Sequence, residues 1–545
     1  MVFFIKKKII FNFINLNKKF FKKKNSKSEI LVEFNNFKNS HVSISYLSQI
    51  LSKKYNSKIK GFFNYYLIVS PLKETLLNKI KWLISKYYFL NNFSVYKSFG
   101  CSTIFKPVVD KKTEYRVEKK KNKLLKKIVD KKSIINLHFE NIYVGDLIYD
   151  TYLKHFRKPT IDVSDKVIKN LVLDFYTLYE YWNEYFRKNN VKSVVGVHSP
   201  YAYGLVLRIA INRKIPTYVT SNRFIFKLSN KMKYMHGDFK NYNKKFNILS
   251  KQNQSLGRKI SKKKISLRLK GVAGAKTDLI TSSVSSFNMK FNKRIIKNTK
   301  RIKILISPHD FFDAAHIWGK TFFYDFYEWL DYLGKVSNKT NYDWYIKNRP
   351  NNVGKFKLYQ PHTDKLIINF AKKYNNITLL PKNYPHNQIA SEGIDFVLTC
   401  HGSVAMEYAN YKVSVINASL NNPHIDYNFN INPKSLKNYK YVIQNLNKFK
   451  SFNKKIKLEK VHEYYFMRNI YNDRTWLIDD LAKMINEVGG FDQQFTEKFY
   501  EYWINNFSIK KHSKIIKNIN NFLKSGDDAI SIIHTNKINN LKNLL

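Results

Sequence analysis

The sequence predicts an α/β protein of two similar halves, each a parallel sheet layered with helices, followed by a helical tail. Three observations lead there. The chain has 545 residues, well past the roughly 250 to 300 at which single cores stop growing. From Glu29 onward, short runs rich in Val, Ile, Phe and Tyr alternate with longer helix-compatible stretches, as in strand–helix–strand units. The alternation breaks once, between about Asn230 and Lys270, where Lys, Asn and Ser dominate, as in a connecting region.

In the first half the expected strands are Ile30 to Phe34, Tyr65 to Val69, Ile142 to Val144, Ser193 to His198 and Thr217 to Thr220. Between the last two, Leu205, Ile209 and Ala210 recur at helical spacing and predict a helix over Tyr203 to Asn212. The second half repeats the pattern with Ile302 to Ser307, Trp344 to Lys347, Ile377 to Leu380, Phe396 to Cys400 and Val413 to Asn417. Beyond Phe491, the spacing of Phe499, Tyr500, Trp503, Ile504 and Phe507 is helical. The expected organisation is a basic leader (1–28), a Rossmann-like domain (29–230), an interdomain region (231–298), a second Rossmann-like domain (299–490) and C-terminal helices (491–545). Two Rossmann-like domains facing a cleft make a GT-B-like arrangement, in which ligands bind beyond the carboxyl ends of the strands.

Composition narrows the function. Hydrophobic residues at 44% and aromatics at 16% exclude a mainly disordered chain. The 97 Lys and Arg against 39 Asp and Glu give a net charge of +58, which by itself suggests a polyanionic partner. The basic residues are spread along the chain, however, and Asn, Ile, Phe and Tyr are inflated with Lys, as in A/T-rich coding. With no zinc-finger spacing or aromatic RNA-binding motif, no nucleic-acid partner is expected. Two cysteines, Cys101 and Cys400, build neither a disulfide framework nor a cysteine-rich zinc site. No window approaches the ~18 to 20 apolar residues of a spanning helix. Met1 to Lys24 mixes Phe and Ile with Lys6 to Lys8 and Lys22 to Lys24, which reads as a basic interfacial segment on anionic membrane or as a poorly ordered leader.

Chemistry concentrates at strand ends. In DFVLTCHGSVAMEY, 395–408, a strand runs into His401, Gly402 and Ser403 and then a helix. Gly402 allows backbone N–H groups to approach an anion, Ser403 is placed to cap the helix, and its positive end favours phosphate. Glu407 lies one turn on, where a carboxylate would accept from ribose hydroxyls, and His401 would donate to the leaving phosphate. The same residues also suit an ordinary strand-to-helix turn. In YIKNRP, Lys347 and Arg349 place two cations before Pro350, suited to phosphate or a sugar carboxylate. SPHDFFDAAHIW supplies His309, Asp310, Asp313 and His316. His309 and Asp310 are candidates for catalytic contact, and the spacing fixes no metal ligand set, so no metal is expected. In the first half, Asp146, Asp150 and His198 follow strands and are candidates for the general base on the acceptor hydroxyl. Asp150 would equally cap a helix, and His198 would equally be a satisfied core residue.

HDFFDAAHIWGKTFFYDFYEWL, WYIKNRPN, LLPKN, DFVLTCHGSVAMEY and NPHIDYNFN together resemble the capsule polysaccharide biosynthesis family, which includes the capsular Kdo transferases. GDLIYDTYL and SPYAYGLVLRIA resemble first-domain segments of surface-polysaccharide relatives. The resemblance spans roughly Glu29 to Gly490 and is most specific from Ile302 to Asn430. It implies a GT-B glycosyltransferase that moves a sugar from a nucleotide-activated donor to a bacterial surface polysaccharide or its lipid-linked precursor. His401, Ser403 and Glu407 match the family's donor-binding turn. It also implies no cofactor beyond the nucleotide-sugar co-substrate, and a cytoplasmic protein peripheral to the inner membrane face. Where relatives often carry Lys-x-His-Pro, this chain has Lys347, Asn348, Arg349 and Pro350, which leaves CMP-, CDP- and UDP-linked donors open. A CDP-alditol phosphotransferase and a non-catalytic assembly factor are the alternatives.

Overall fold

The computed structural model describes residues 2–64, 76–87, 90–272, 285–287, 289–349 and 360–545. The expected strand at Tyr65 to Val69 and the stop at Pro350 lie outside them. The chain forms two compact units, one of Met1–His155, Ile161–His236 and Asn472–Asn536, the other of Phe156–Thr160, Gly237–Tyr471 and Lys537–Leu545.

Among the described residues the first unit is built on six strands, β1 (Glu29–Phe34), β2 (Lys58–Phe63), β3 (Cys101–Phe105), β6 (Val191–Gly196), β7 (Thr217–Ser221) and β8 (Phe224–Leu228), with a separate hairpin of β4 (His138–Phe139) and β5 (Ile142–Tyr143). The sheet order is β3-β2-β1-β6-β7-β8. All neighbours are parallel except β7 and β8. Residues 29–34, EILVEF, are buried at every position, as expected of a central parallel strand covered on both faces. The residues 142 and 143 expected in the main sheet belong instead to the two-residue hairpin. Here Gly145 opens a helix so close to Ile135 that an added Cβ would lie 2.3 Å from its carbonyl oxygen.

The leader is part of this unit. Residues Val2–Phe20 form a helix whose Phe13 and Ile14 are buried. Phe13 stacks on Tyr500 with ring centroids 4.0 Å apart, and Phe20 packs on Phe507 and His512. The segment is an ordered helix, and part of its apolar face is spent on core packing. The C-terminal helices Glu497–Asn505 and Ile509–Ser525 pack in the same unit, and Gln494 accepts from Asn39 and Asn222, both at 3.2 Å.

Among the described residues the second unit has five strands, β9 (Lys303–Ile306), β10 (Asp343–Lys347), β11 (Ile377–Leu380), β12 (Phe396–Thr399) and β13 (Ser414–Asn417). Their order is β11-β10-β9-β12-β13, all parallel. The chain winds outward from β9 in one direction and from β12 in the other. This reversal opens a crevice at the carboxyl ends of β9 and β12, where doubly wound sheets bind ligands. The stretch expected as interdomain supplies a 19-residue helix, Lys251–Leu269, to this unit. Among the described residues no helix is long and apolar enough to cross a membrane.

Candidate functional site

β9 and β12 each end in a histidine loop at the crevice of the second unit. After β9, Asp325 caps the helix Phe326–Ser337 by accepting from the Glu328 N–H at 2.8 Å. This sets Phe326 against His309, the rings stacked with centroids 4.5 Å apart. His309 Nε2 lies 3.0 Å from Thr399 Oγ1 and accepts the backbone N–H groups of Cys400 and His401 at 3.3 and 3.4 Å. Two N–H donors aimed at Nε2 require a lone pair there, so His309 is neutral with its proton on Nδ1. Burial, helped by His401 and Arg349, holds its pKa well below the usual histidine range.

The turn after β12 differs from the expected anion cradle. The N–H groups of Cys400 and His401 are taken by His309, and that of Gly402 by Thr399 Oγ1 at 3.2 Å. Ser403 makes no capping hydrogen bond to the helix Val404–Asn410. Its Oγ instead accepts from Arg268 Nη2 at 3.1 Å. Gly402 serves packing, since a Cβ there would sit 2.8 Å from Thr399 Oγ1.

His401 stands next to this arrangement and is half-buried. Its ring lies 4.5 Å from that of His309, 5.4 Å from Phe326 and 6.3 Å from Trp318. Burial pushes its pKa down to about 4, so the ring is neutral near pH 7. Its Nε2 is buried with no partner among the described residues. Such an atom in a strand-end crevice calls for a ligand or water.

Beside it, Arg468 stacks over Trp318 at 4.7 Å, within reach of a cation–π contact. Arg468 sits in a π-helical turn, Met467–Tyr471, a distortion frequent at functional sites. Buried His424 adjoins the cluster, its pKa pushed to about 3 by burial, Arg468 and His401.

Glu407 is held by Arg268. Its Oε1 accepts from Arg268 Nε at 2.8 Å and from Nη2, and both side chains are nearly buried. Lys347, at the end of β10, is 2% exposed, and burial lowers its pKa from 10.5 to about 8. Arg349 Nη2 lies 3.9 Å from buried Asp310, whose Oδ1 accepts the Phe312 N–H at 3.1 Å. Asp310 is therefore engaged in shaping its own loop. Among the described residues no three His, Cys, Asp or Glu side chains are grouped as metal ligands.

In the first unit the candidates separate. Asp146 is buried with its oxygens 2.5 and 2.7 Å from Arg208, and Tyr234 donates to it at 2.8 Å. A carboxylate so held is a member of a buried ion pair. Asp150 is buried one turn further along the helix, away from any capping position. His198 is half-buried, with Nδ1 3.1 Å from Met235 Sδ. Nearby Tyr201 holds φ 59°, a costly conformation for an aromatic residue. The reversal between β1 and β6 also places Glu33, whose Oε2 accepts from the Val197 N–H at 3.1 Å.

Thr399, Trp318, Phe326, Arg268, Arg468 and Glu33 were not singled out by sequence. Trp318 ends the SPHDFFDAAHIW segment, so its position was visible. Arg268 and Arg468 carry no motif in so basic a chain.

No protein-family model matches the chain, and no curated protein sequence does. Among solved structures it is similar to KpsC, a beta Kdo 2,4 transferase of Thermosulfurimonas dismutans, at 10% identity and TM-score 0.32, covering 52% of this chain and 81% of that one. It is also similar to a glycosyltransferase from Rickettsia africae ESF-5, at 11% identity and TM-score 0.24 over 89% and 100% of the two chains. A UDP-GlcNAc 2-epimerase from Neisseria meningitidis matches at 8% identity and TM-score 0.23 over 80% and 97%. These likenesses are too distant to assign an activity.

Proposed function

We propose that the chain is a GT-B glycosyltransferase that holds the nucleotide part of an activated sugar in the second unit, at the carboxyl ends of β9 and β12. The observation that carries this is the buried His401 Nε2, unpartnered among the described residues, standing between Trp318 and Phe326 in that crevice. A neutral imidazole nitrogen meets a donor oxygen there. Arg468 supplies the fixed charge for a leaving phosphate, with Lys347 and Arg349 on the neighbouring strand end, so that preorganised cations stabilise the departing group. Glu407, fixed by Arg268, presents a carboxylate to ribose hydroxyls. His198 is the remaining first-unit candidate for the general base. The motif resemblance points to a bacterial surface or capsular polysaccharide, or its lipid-linked precursor, as acceptor at the inner membrane face. The donor is CMP-, CDP- or UDP-linked, and the reaction uses no divalent metal.

A thermal-unfolding screen of CMP, CDP, UDP, GDP and their sugars tests the reading. A bound nucleotide at ~100 times its dissociation constant adds about 2.7 kcal/mol to stability. A transition that none of these ligands moves would contradict it.

A further inference from the structure

The first unit carries a second concave site, unrelated to the nucleotide crevice and independent of the transferase reading. Three helices, Val2–Phe20, Lys38–Lys54 and Ile509–Ser525, border a groove of about 720 Å3, within the roughly 300 to 1,000 Å3 of small-molecule sites. Phe20, Phe21, Tyr46, Ile50, Ile516 and Leu523 give it an apolar lining. Lys22, Lys24, Lys53, Lys54 and Lys524 also border it, and no Asp or Glu stands among the described residues that line it.

Gln49, Ser52, Tyr46 and His512 inside it are already hydrogen-bonded within the fold. Gln49 Nε2 donates to the carbonyls of Lys22 and Phe99 at 3.0 and 2.6 Å. Ser52 Oγ donates to the Ser57 carbonyl at 2.5 Å, and Tyr46 OH is 2.9 Å from His512 Nδ1. A peptide in the groove would leave its own N–H and C=O groups poorly satisfied, at a cost. A hydrocarbon chain has none to satisfy. Lysines in last turns also complement helix dipoles, but that role does not require an apolar groove beside them. We infer that the groove takes an acyl chain of an anionic membrane phospholipid, its headgroup phosphate held by the lysine rim.

The test is co-sedimentation of the full chain with phosphatidylglycerol vesicles and with phosphatidylcholine vesicles. Binding is expected to the first and not the second. The exposed pair Lys53→Glu/Lys54→Glu should weaken it at least tenfold. Leu523→Trp, which fills the groove without touching the charge, should do the same while keeping the wild-type thermal midpoint. Ile516→Asn serves as a second lining variant if Leu523→Trp does not fold. Equal binding to both lipids, or wild-type binding by the folded lining variant, overturns the inference. A concentration-dependent dimer in sedimentation velocity that the lining variant abolishes would make a second copy the occupant, and overturns it too.

Discussion

His309 Nε2, at the end of β9, sits 3.0 Å from Thr399 Oγ1, at the end of β12, and so ties the two strand ends where the sheet reverses. The bond uses the lone pair of a neutral ring and gathers the N–H groups of the following turn around it. Those groups are thereby withdrawn from any phosphate. In the proposed nucleotide site, anion binding therefore falls to side chains, above all Arg468, which stacks over Trp318.

Removing the His309 ring leaves the Thr399 hydroxyl and two backbone N–H groups without their acceptor. His309→Ala should cost about 1 to 3 kcal/mol, seen as a lower urea midpoint. Gly402→Ala should also destabilise, because its Cβ meets Thr399 Oγ1 at 2.8 Å. Wild-type stability in both variants would mean that the turn holds itself without His309.

Arg268 and Glu407 form a nearly buried pair. Arg268→Ala strands the Glu407 carboxylate and should cost about 3 to 5 kcal/mol, whereas Arg268→Met/Glu407→Met should lie much closer to wild type. Urea denaturation of the three proteins checks this. A double variant as unstable as the single one would mean that the pair contributes more than charge compensation.

Glu33 gives a pH test in the first unit. Burial raises its pKa from 4.5 to about 7, so the folded state holds its proton more tightly than the unfolded chain. The stability this adds is full below pH 4.5 and fades as pH rises to about 7, a loss of about 3 kcal/mol. Glu33→Gln cannot titrate. Its stability relative to wild type should therefore improve between pH 5 and pH 7.5, and a pH-independent difference in urea denaturation would contradict the assignment.

The leader is predicted to be structural. Phe13→Ala empties a fully buried site stacked on Tyr500 and should cost about 3 to 5 kcal/mol. An unchanged thermal transition would return residues 2–20 to the status of an appendage.

Much of the second unit was legible because β9, β12 and β13 are continuous apolar runs, ILI, FVL and VI, with chemistry-bearing residues just after them. The first unit was less so. Residues 58–63, KIKGFF, and 101–105, CSTIF, mix Lys, Gly and Ser into strands of partial burial, and neither showed the buried-strand signature. The leader looked interfacial because lysines surround its aromatics, while the partners that bury Phe13 and Phe20 lie nearly 500 residues away in sequence. At the site, the positions of His309, His401 and Glu407 were readable. Their bonding was not, because Arg268 and Arg468 reach the crevice from helices whose sequences, rich in Lys and Tyr, signal only solvated or packed surfaces.

Calorimetric titration of wild type and His401→Phe with the nucleotide that most raises the thermal midpoint tests the central claim most directly. Phenylalanine keeps an aromatic ring among Phe326, Trp318 and His309 and removes the ring nitrogens, Nε2 among them. A nucleotide site at the ends of β9 and β12 predicts micromolar or tighter binding by wild type, and a variant that folds normally but binds at least tenfold more weakly, about 1.4 kcal/mol. Equal affinity in the two proteins would contradict it.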